Sequence, residues 1–274
     1  MKNIEEITQK LEEGVKAVFE SEKYKTYLTV MSKFYNYSFN NCLLIAMQMP
    51  DASLVAGYKA WQTKFNRQVK KGEKAIRILA PIPHKVTKVV DGEEHEVQYM
   101  TFRATSVFDI SQTEGEEIET LCRQLTGTVD DYEALEKALK EVSPVEVFFE
   151  DIEGEANGYY SFPENRIVVQ RDMSQMQTIK TMVHEIAHSI LHNRETGKEK
   201  EADRRTREVQ AESVAYTVCQ HLGLDTSDYS FEYVAGWSDD KEVKELQASM
   251  EVIRKTSKEI IEQIADMRKE VLAA

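Results

Sequence analysis

Residues 181–192 read TMVHEIAHSILH, with two histidines four apart and a glutamate directly after the first. On an α-helix, residues i and i+4 share a face, so His184 and His188 can offer both imidazoles to one ion. Glu185 projects to the side of that face. A carboxylate there suits the role of general base toward a water on the ion better than the role of ligand. Met182, Val183, Ile186, Ala187 and Ile190 would bury the rest of the helix. The chemistry this pattern can support is metal-assisted hydrolysis.

A catalytic zinc site takes three protein ligands and keeps one position open, so a third ligand is needed. The metzincin spacing requires a glycine three residues after the second histidine and a third histidine three beyond that. Leu191 and Arg194 stand at those places, which excludes it. REVQAESVAY instead supplies Glu208, twenty positions after His188, and Glu212 one turn further along the same face. This E-x-x-A-E arrangement resembles that of gluzincins. The resemblance implies that His184, His188 and Glu208 hold the ion, that Glu185 is catalytic, and that Glu212 orients the far nitrogen of His184. Glu212 in place of Glu208, and His192 as a ligand of an all-histidine site, remain open. Tyr159 and Tyr160 are candidates for steadying an oxyanion or for core packing. Zn2+ is the expected ion, although another divalent metal such as manganese suits the same donors. RIVVQ at 166–170 resembles the strand that lies beside a zincin cleft and pairs with an extended peptide.

These side chains need elements to hold them. Helices are predicted from about Ser174 to His192 and from about Lys200 to His221, with short strands at VEVFFED, NGYYSF and RIVVQ before them. A final helix over about 241–274 carries the seam Leu246, Met250, Ile253, Ser257, Ile260, Ile264, Met267 and Val271. That seam either packs along its own domain or forms a dimeric coiled coil. Upstream, residues 3–33 have helical spacing, and FYNYSFNNCLLIAMQMP reads as a second helix ending before Pro50. The segment around Trp61 is helical, AIRILAPI is a strand, and two further strands join at Asp91-Gly92. Residues 113–142 are acidic and helix-forming. The expected class is α+β, with a small α+β domain over 1–112 and a zincin-like, gluzincin-type domain over 113–274.

The chain of 274 residues carries a net charge of −13, which by itself argues against a nucleic-acid partner. The charge is unevenly placed. Residues 1–112 hold 16 Lys+Arg against 13 Asp+Glu, and the remainder 19 against 35. Residues 59–88 hold nine basic side chains and one acid, Glu73. Three widely spaced cysteines (Cys42, Cys122 and Cys219) without a CxxC suit a reducing compartment, and no apolar run is long enough for a membrane span. A cytoplasmic setting is expected.

YNYSFNNCLLIA, the Trp61 segment with VKKGEKAIRIL, and FRATSVFDISQT resemble the N-terminal domain of ArdC-type antirestriction proteins. ArdC-type and LtrC-like proteins of conjugative elements join a single-stranded-DNA-binding domain to a zincin-like metallopeptidase domain. The resemblance covers most of the chain except the last long helix. It implies single-stranded DNA as a partner and protection of incoming strands as a role, with the peptide substrate unspecified. Single-strand binders combine a cationic groove with aromatic platforms, each stacked base contributing about 1–3 kcal/mol. The candidates are Tyr37, Asn40, Tyr58, Trp61, Lys64, Arg67, Lys70, Lys71, Lys74 and Arg77, with Phe65 expected to be the buried aromatic. Two rival readings are a DNA-coating protein whose metal site is non-catalytic and an ImmA-type regulatory peptidase that cleaves a repressor.

Overall fold

Alternating periodicity after Lys74 marks the start of a long antiparallel hairpin in the computed structural model, which describes residues 2–90, 93–118, 129–193 and 202–273. Its contacts divide the chain into two units: residues 1–17 with 40–118, and residues 18–39 with 119–274. Residues 18–39, read from the sequence with the domain over 1–112, cluster with the second unit. Among the described residues, no helix is long and apolar enough to cross a membrane.

In the first unit, helices α1 (Lys2–Ala17) and α3 (Phe39–Gln48) accompany strand β1 (Val55–Ala56), helix α4 (Tyr58–Phe65) and strand β2 (Arg67–Val69). Strands β3 (Ile76–Val90) and β4 (Glu93–Asp109) form the hairpin, in register from Ile76 opposite Val107 to Val90 opposite Glu93. β1 pairs with the end of β4, and β2 pairs with β5 (Thr113–Gly115). The strand at Thr113–Gly115 departs from the helix expected to begin there, and the rest of that segment, 119–128, lies outside the described residues. AIRILAPI and KVTKVV, expected as separate strands, are one strand. Asn41 and Gln48 of α3 explain why the prolines do not break it. Their amides bond both backbone groups of Leu79 and of Arg77 at 2.8–2.9 Å, two residues apart along the outer edge of β3. By the alternation of an antiparallel pair, Pro81 and Pro83 also face outward, where the ladder to β4 needs no N–H.

Buried Asp109 closes this unit. Its carboxylate accepts from the amides of Ser53, Leu54 and Ser111, at 2.7, 3.0 and 3.0 Å. Burial works against the ionised form, but these bonds prevail and hold the carboxyl below its usual range.

The second unit places helix α6 (Gln175–Leu191) against a three-stranded sheet and helix α7 (Arg204–His221). The sheet order is β6 (Glu146–Glu150), β8 (Arg166–Gln170), β7 (Gly158–Ser161). β6 runs parallel to β8, and β7 antiparallel. RIVVQ is thus the central strand, and β7 is the edge strand. Ser174 caps α6, accepting from the Gln177 amide, and Asp203 caps α7, accepting from the Thr206 amide at 2.8 Å. Two further helices hold α7 from other sides: α2 (Ser21–Lys33) and α9 (Val243–Ala273). Tyr24 shares a hydrogen bond with Ser213, Thr29 shares one with Tyr216, and Gln210 donates to Ser249 of α9. The short helix α8 (Glu232–Ser238), not expected from the sequence, adds Trp237, whose indole N–H donates to Thr206. Helix α5 (Val129–Val142) packs on α9. Leu246, Met250, Ile253, Ser257, Ile260 and Ile264 are all buried within the chain. This part of the seam packs within the chain, the first of the two alternatives.

Candidate metal centre

α6 buries Ile179, Met182, Val183, Ile186 and Ala187 and leaves His184 and His188 half-buried on its opposite side. Their rings meet edge-on with centroids 4.7 Å apart, and the two Nε2 atoms are 3.1 Å apart. From α7, Glu208 brings one carboxylate oxygen to 3.8 Å from His184 Nε2 and 3.6 Å from His188 Nε2. Ligands about 2.0–2.1 Å from one tetrahedral ion lie about 3.3 Å from each other. The three observed separations bracket that value, and two imidazoles with a carboxylate are suitable donors. The residues therefore fit a divalent ion, and they form the one such group found among the described residues.

Glu212, one turn after Glu208, reaches the other side of His184, with its carboxylate 3.1 Å from Nδ1. A partner at Nδ1 fixes the tautomer that leaves Nε2 as the donor to a metal. This placement separates the two acids: Glu208 faces both Nε2 atoms, and Glu212 stands behind the first histidine. His192 caps the C-terminus of α6 and is buried beside His188, with ring centroids 5.4 Å apart. Burial pushes its pKa down to about 4, so it is neutral, and it is not part of the convergent group.

Glu185 is only 7% exposed. Burial holds its carboxyl above the usual range, despite the opposing influence of both histidines and of the Tyr160 amide, which donates to it. That amide is free to do so because Gln170 donates to Asn157 across β7 and β8, so alternation turns Tyr160 N–H away from β8. Gly158 lies in the same place. A Cβ there would come within 2.6 Å of Thr181 Cγ2 and 3.3 Å of Glu185 Cγ. Glycine thus lets the edge strand approach the catalytic candidate.

The metal-facing atoms open into a cleft of about 420 Å³ walled by Gly158, Tyr159, Tyr160, Phe162, Arg204 and Arg207. Tyr160 directs its hydroxyl to Asn165, while Tyr159 is exposed. The sequence reading missed Gly158, Phe162, Arg204 and Arg207. Arg204 carried a usable signal, since it lies four residues before Glu208 on one helix face. The other three depend on the chain crossing from β7 to α7.

The same residues also bind protons. Burial disfavours the His184 imidazolium, but Glu212, Glu185 and Glu208 prevail and raise its pKa above the ordinary value. Glu208 is held low, first by the His188 imidazole. A metal must therefore displace the proton of His184 as pH falls through that raised pKa. Affinity measured by competition with a chromophoric chelator should drop about tenfold per pH unit on the acid side and level off above it. Affinity that stays flat between about pH 5 and 8 would remove His184 from the ligand set.

The expected nucleic-acid residues differ in burial and bonding. Trp61 is fully buried, and its Nε1 donates to Phe108 O at 2.9 Å, so its ring is not a stacking surface. Phe65, expected to be the buried aromatic, is half-buried against it. Arg67 binds Thr113 and the backbone of Gly115 and Glu116, Lys70 donates to Ser111 O, and Arg77 donates to Ser106. Tyr37 falls in the second unit, whereas Asn40 is half-buried in the first. Tyr58, Lys64, Lys71 and Lys74 are exposed.

Residues 2–108 match the model of the N-terminal domain of anti-restriction factor ArdC, and residues 140–258 match the IrrE N-terminal-like domain of the M78 peptidases. An uncharacterized protein of Bacillus anthracis is 26% identical over 279 residues, covering 85% of this chain and 46% of its own length. The chain thus spans about half the length of that curated relative. The crystal structure of the antirestriction ArdC protein from plasmid R388, in metal-free form, is 19% identical with a TM-score of 0.55. It covers 84% of this chain and 86% of its own. The Mn(II)-bound form of the same protein gives a TM-score of 0.48 at 19% identity, covering 85% and 84%. The chain joins an ArdC-like N-terminal domain to an IrrE/M78-like C-terminal domain with a clustered His-His-Glu site, and this is the architecture of ArdC antirestriction proteins.

Proposed function

We propose that this chain is an ArdC-type antirestriction protein that binds single-stranded DNA through its first unit and hydrolyses a peptide bond in its second. The observation that carries the reading is the convergence of His184, His188 and Glu208 beside buried Glu185, in a domain similar to a peptidase. Zinc is the ion best suited to these donors, and other divalent metals can use them. When bound, the ion would supply Lewis acidity toward a substrate carbonyl and lower the pKa of a water.

The chain's own residues would do the rest. Glu185, with its raised pKa, takes a proton from the attacking water and returns it to the departing amine. Tyr160 N–H keeps the Glu185 carboxylate aimed at the cleft. The outer edge of β7 offers backbone groups to an extended peptide, which moves the substrate-pairing role from RIVVQ to GYYS. Arg204 and Arg207 favour an acidic group on the substrate. Cys42 and Cys219 are buried thiols, which suits a reducing, cytoplasmic setting.

Transfer of an unmodified plasmid into a restricting host tests the role in cells. Expression of the chain should raise transfer efficiency only when the host restricts. Equal efficiency with and without the chain would overturn the antirestriction reading. The match to an IrrE-like domain keeps a regulatory peptidase as the second reading. That reading expects cleavage of a repressor and no affinity of the first unit for single strands.

A further inference from the structure

The stem of the β3–β4 hairpin exposes large side chains that the first unit does not use as core. Tyr99 is 49% exposed, Phe102 53% and Met100 55%. His84 lies opposite Tyr99 across the ladder and stacks on it, with centroids 5.0 Å apart and planes 15° apart. His84 is also hydrogen-bonded to Thr101, which fixes its ring in that position. Strand alternation puts Arg103 on the same face as Tyr99, and Lys85 on the face of Phe102 and Met100. Residues 74–90 and 97–108 include Lys74, Arg77, Lys85, Lys88 and Arg103 and contain no acid, in a chain of net charge −13. In the sequence, the acids Asp91, Glu93, Glu94 and Glu96 fall between these two stretches.

Pro81 and Pro83 sit at the outward positions of edge strand β3, where they remove the N–H groups that an added strand would need. The edge is therefore closed to strand addition there, while the aromatic faces remain available. An exposed ring beside a cation matches an unpaired base and its phosphate.

We propose that the Tyr99 face of this stem is the platform on which a base of single-stranded DNA stacks, with Tyr99, backed by His84, as the stacking ring and Arg103 as the phosphate partner. The assignment rests on the single-strand binding proposed above. Fluorescence anisotropy of a labelled oligothymidylate tests it with the full chain. Tyr99→Leu should raise Kd roughly tenfold with an unchanged thermal transition, and Phe102→Leu, on the opposite face, should leave Kd unchanged. Tyr99→Phe, which keeps the ring, should bind as the unaltered chain does. Arg103→Ala should reduce the slope of log K against log salt by about 0.7. If the unaltered chain binds and Tyr99→Leu binds equally well, the stem assignment is overturned and single-strand binding stands. If the unaltered chain shows no affinity for the oligonucleotide, both readings fall.

Discussion

If the chain cleaves peptides as proposed, Glu185→Gln should lower cleavage by about 10²–10⁴-fold and leave a divalent ion bound with unchanged stoichiometry. The separation of the two effects follows from the geometry. The metal-facing atoms belong to His184, His188 and Glu208, and Glu185 is not among them. Glutamine has nearly the same shape and can still accept from the Tyr160 amide, so the wall of the cleft is retained. It cannot take up a proton, and proton transfer is the role assigned to this position. Steady-state hydrolysis of a peptide library and metal content after dialysis measure the two effects separately. Equal loss of metal and activity would show that Glu185 is a ligand or a structural support.

The second large effect distinguishes the two acids of α7. Glu212→Gln should weaken metal affinity about 10–100-fold, the range typical of residues that orient a metal-binding histidine. Glu208→Gln should weaken it further, because an anionic oxygen facing both Nε2 atoms is lost. Isothermal titration with zinc would read both. The reverse order would exchange the roles of the two acids. Neither replacement should unfold α7, since its buried face runs through Val209, Val214 and Val218, and it is held by α2, α8 and α9.

Local periodicity made much of this site legible. His184 and His188 share a helix face by spacing alone, and Glu208 and Glu212 are one turn apart on the next helix. Once both helices are recognised, these four residues need only one packing contact to meet. The cleft walls were less legible because Gly158 and Arg207 lie nearly 50 positions apart. Sequence periodicity carries no information on such a crossing.

The first unit shows a different limit. Trp61 and Tyr58 are three apart on one short helix, yet one is fully buried and the other exposed. Basic and aromatic composition indicated a class of partner without showing which rings face water. Pro81 and Pro83 suggested a break in AIRILAPIPHKV that the outward orientation of both residues makes unnecessary. Residues 18–39 read as part of the first domain because they follow α1 directly. Their side chains nevertheless complete the support of α7, through Tyr24 and Thr29. Non-local packing decided that membership.

The central claim is that His184, His188 and Glu208 together hold a divalent ion. Anomalous diffraction from zinc-loaded crystals, collected on both sides of the absorption edge, tests it most directly. The expected result is one peak about 2.0–2.2 Å from both Nε2 atoms and a Glu208 oxygen, with Glu212 hydrogen-bonded to His184 Nδ1. A peak ligated by Glu212, or saturated crystals with no peak between the two histidines, would contradict it.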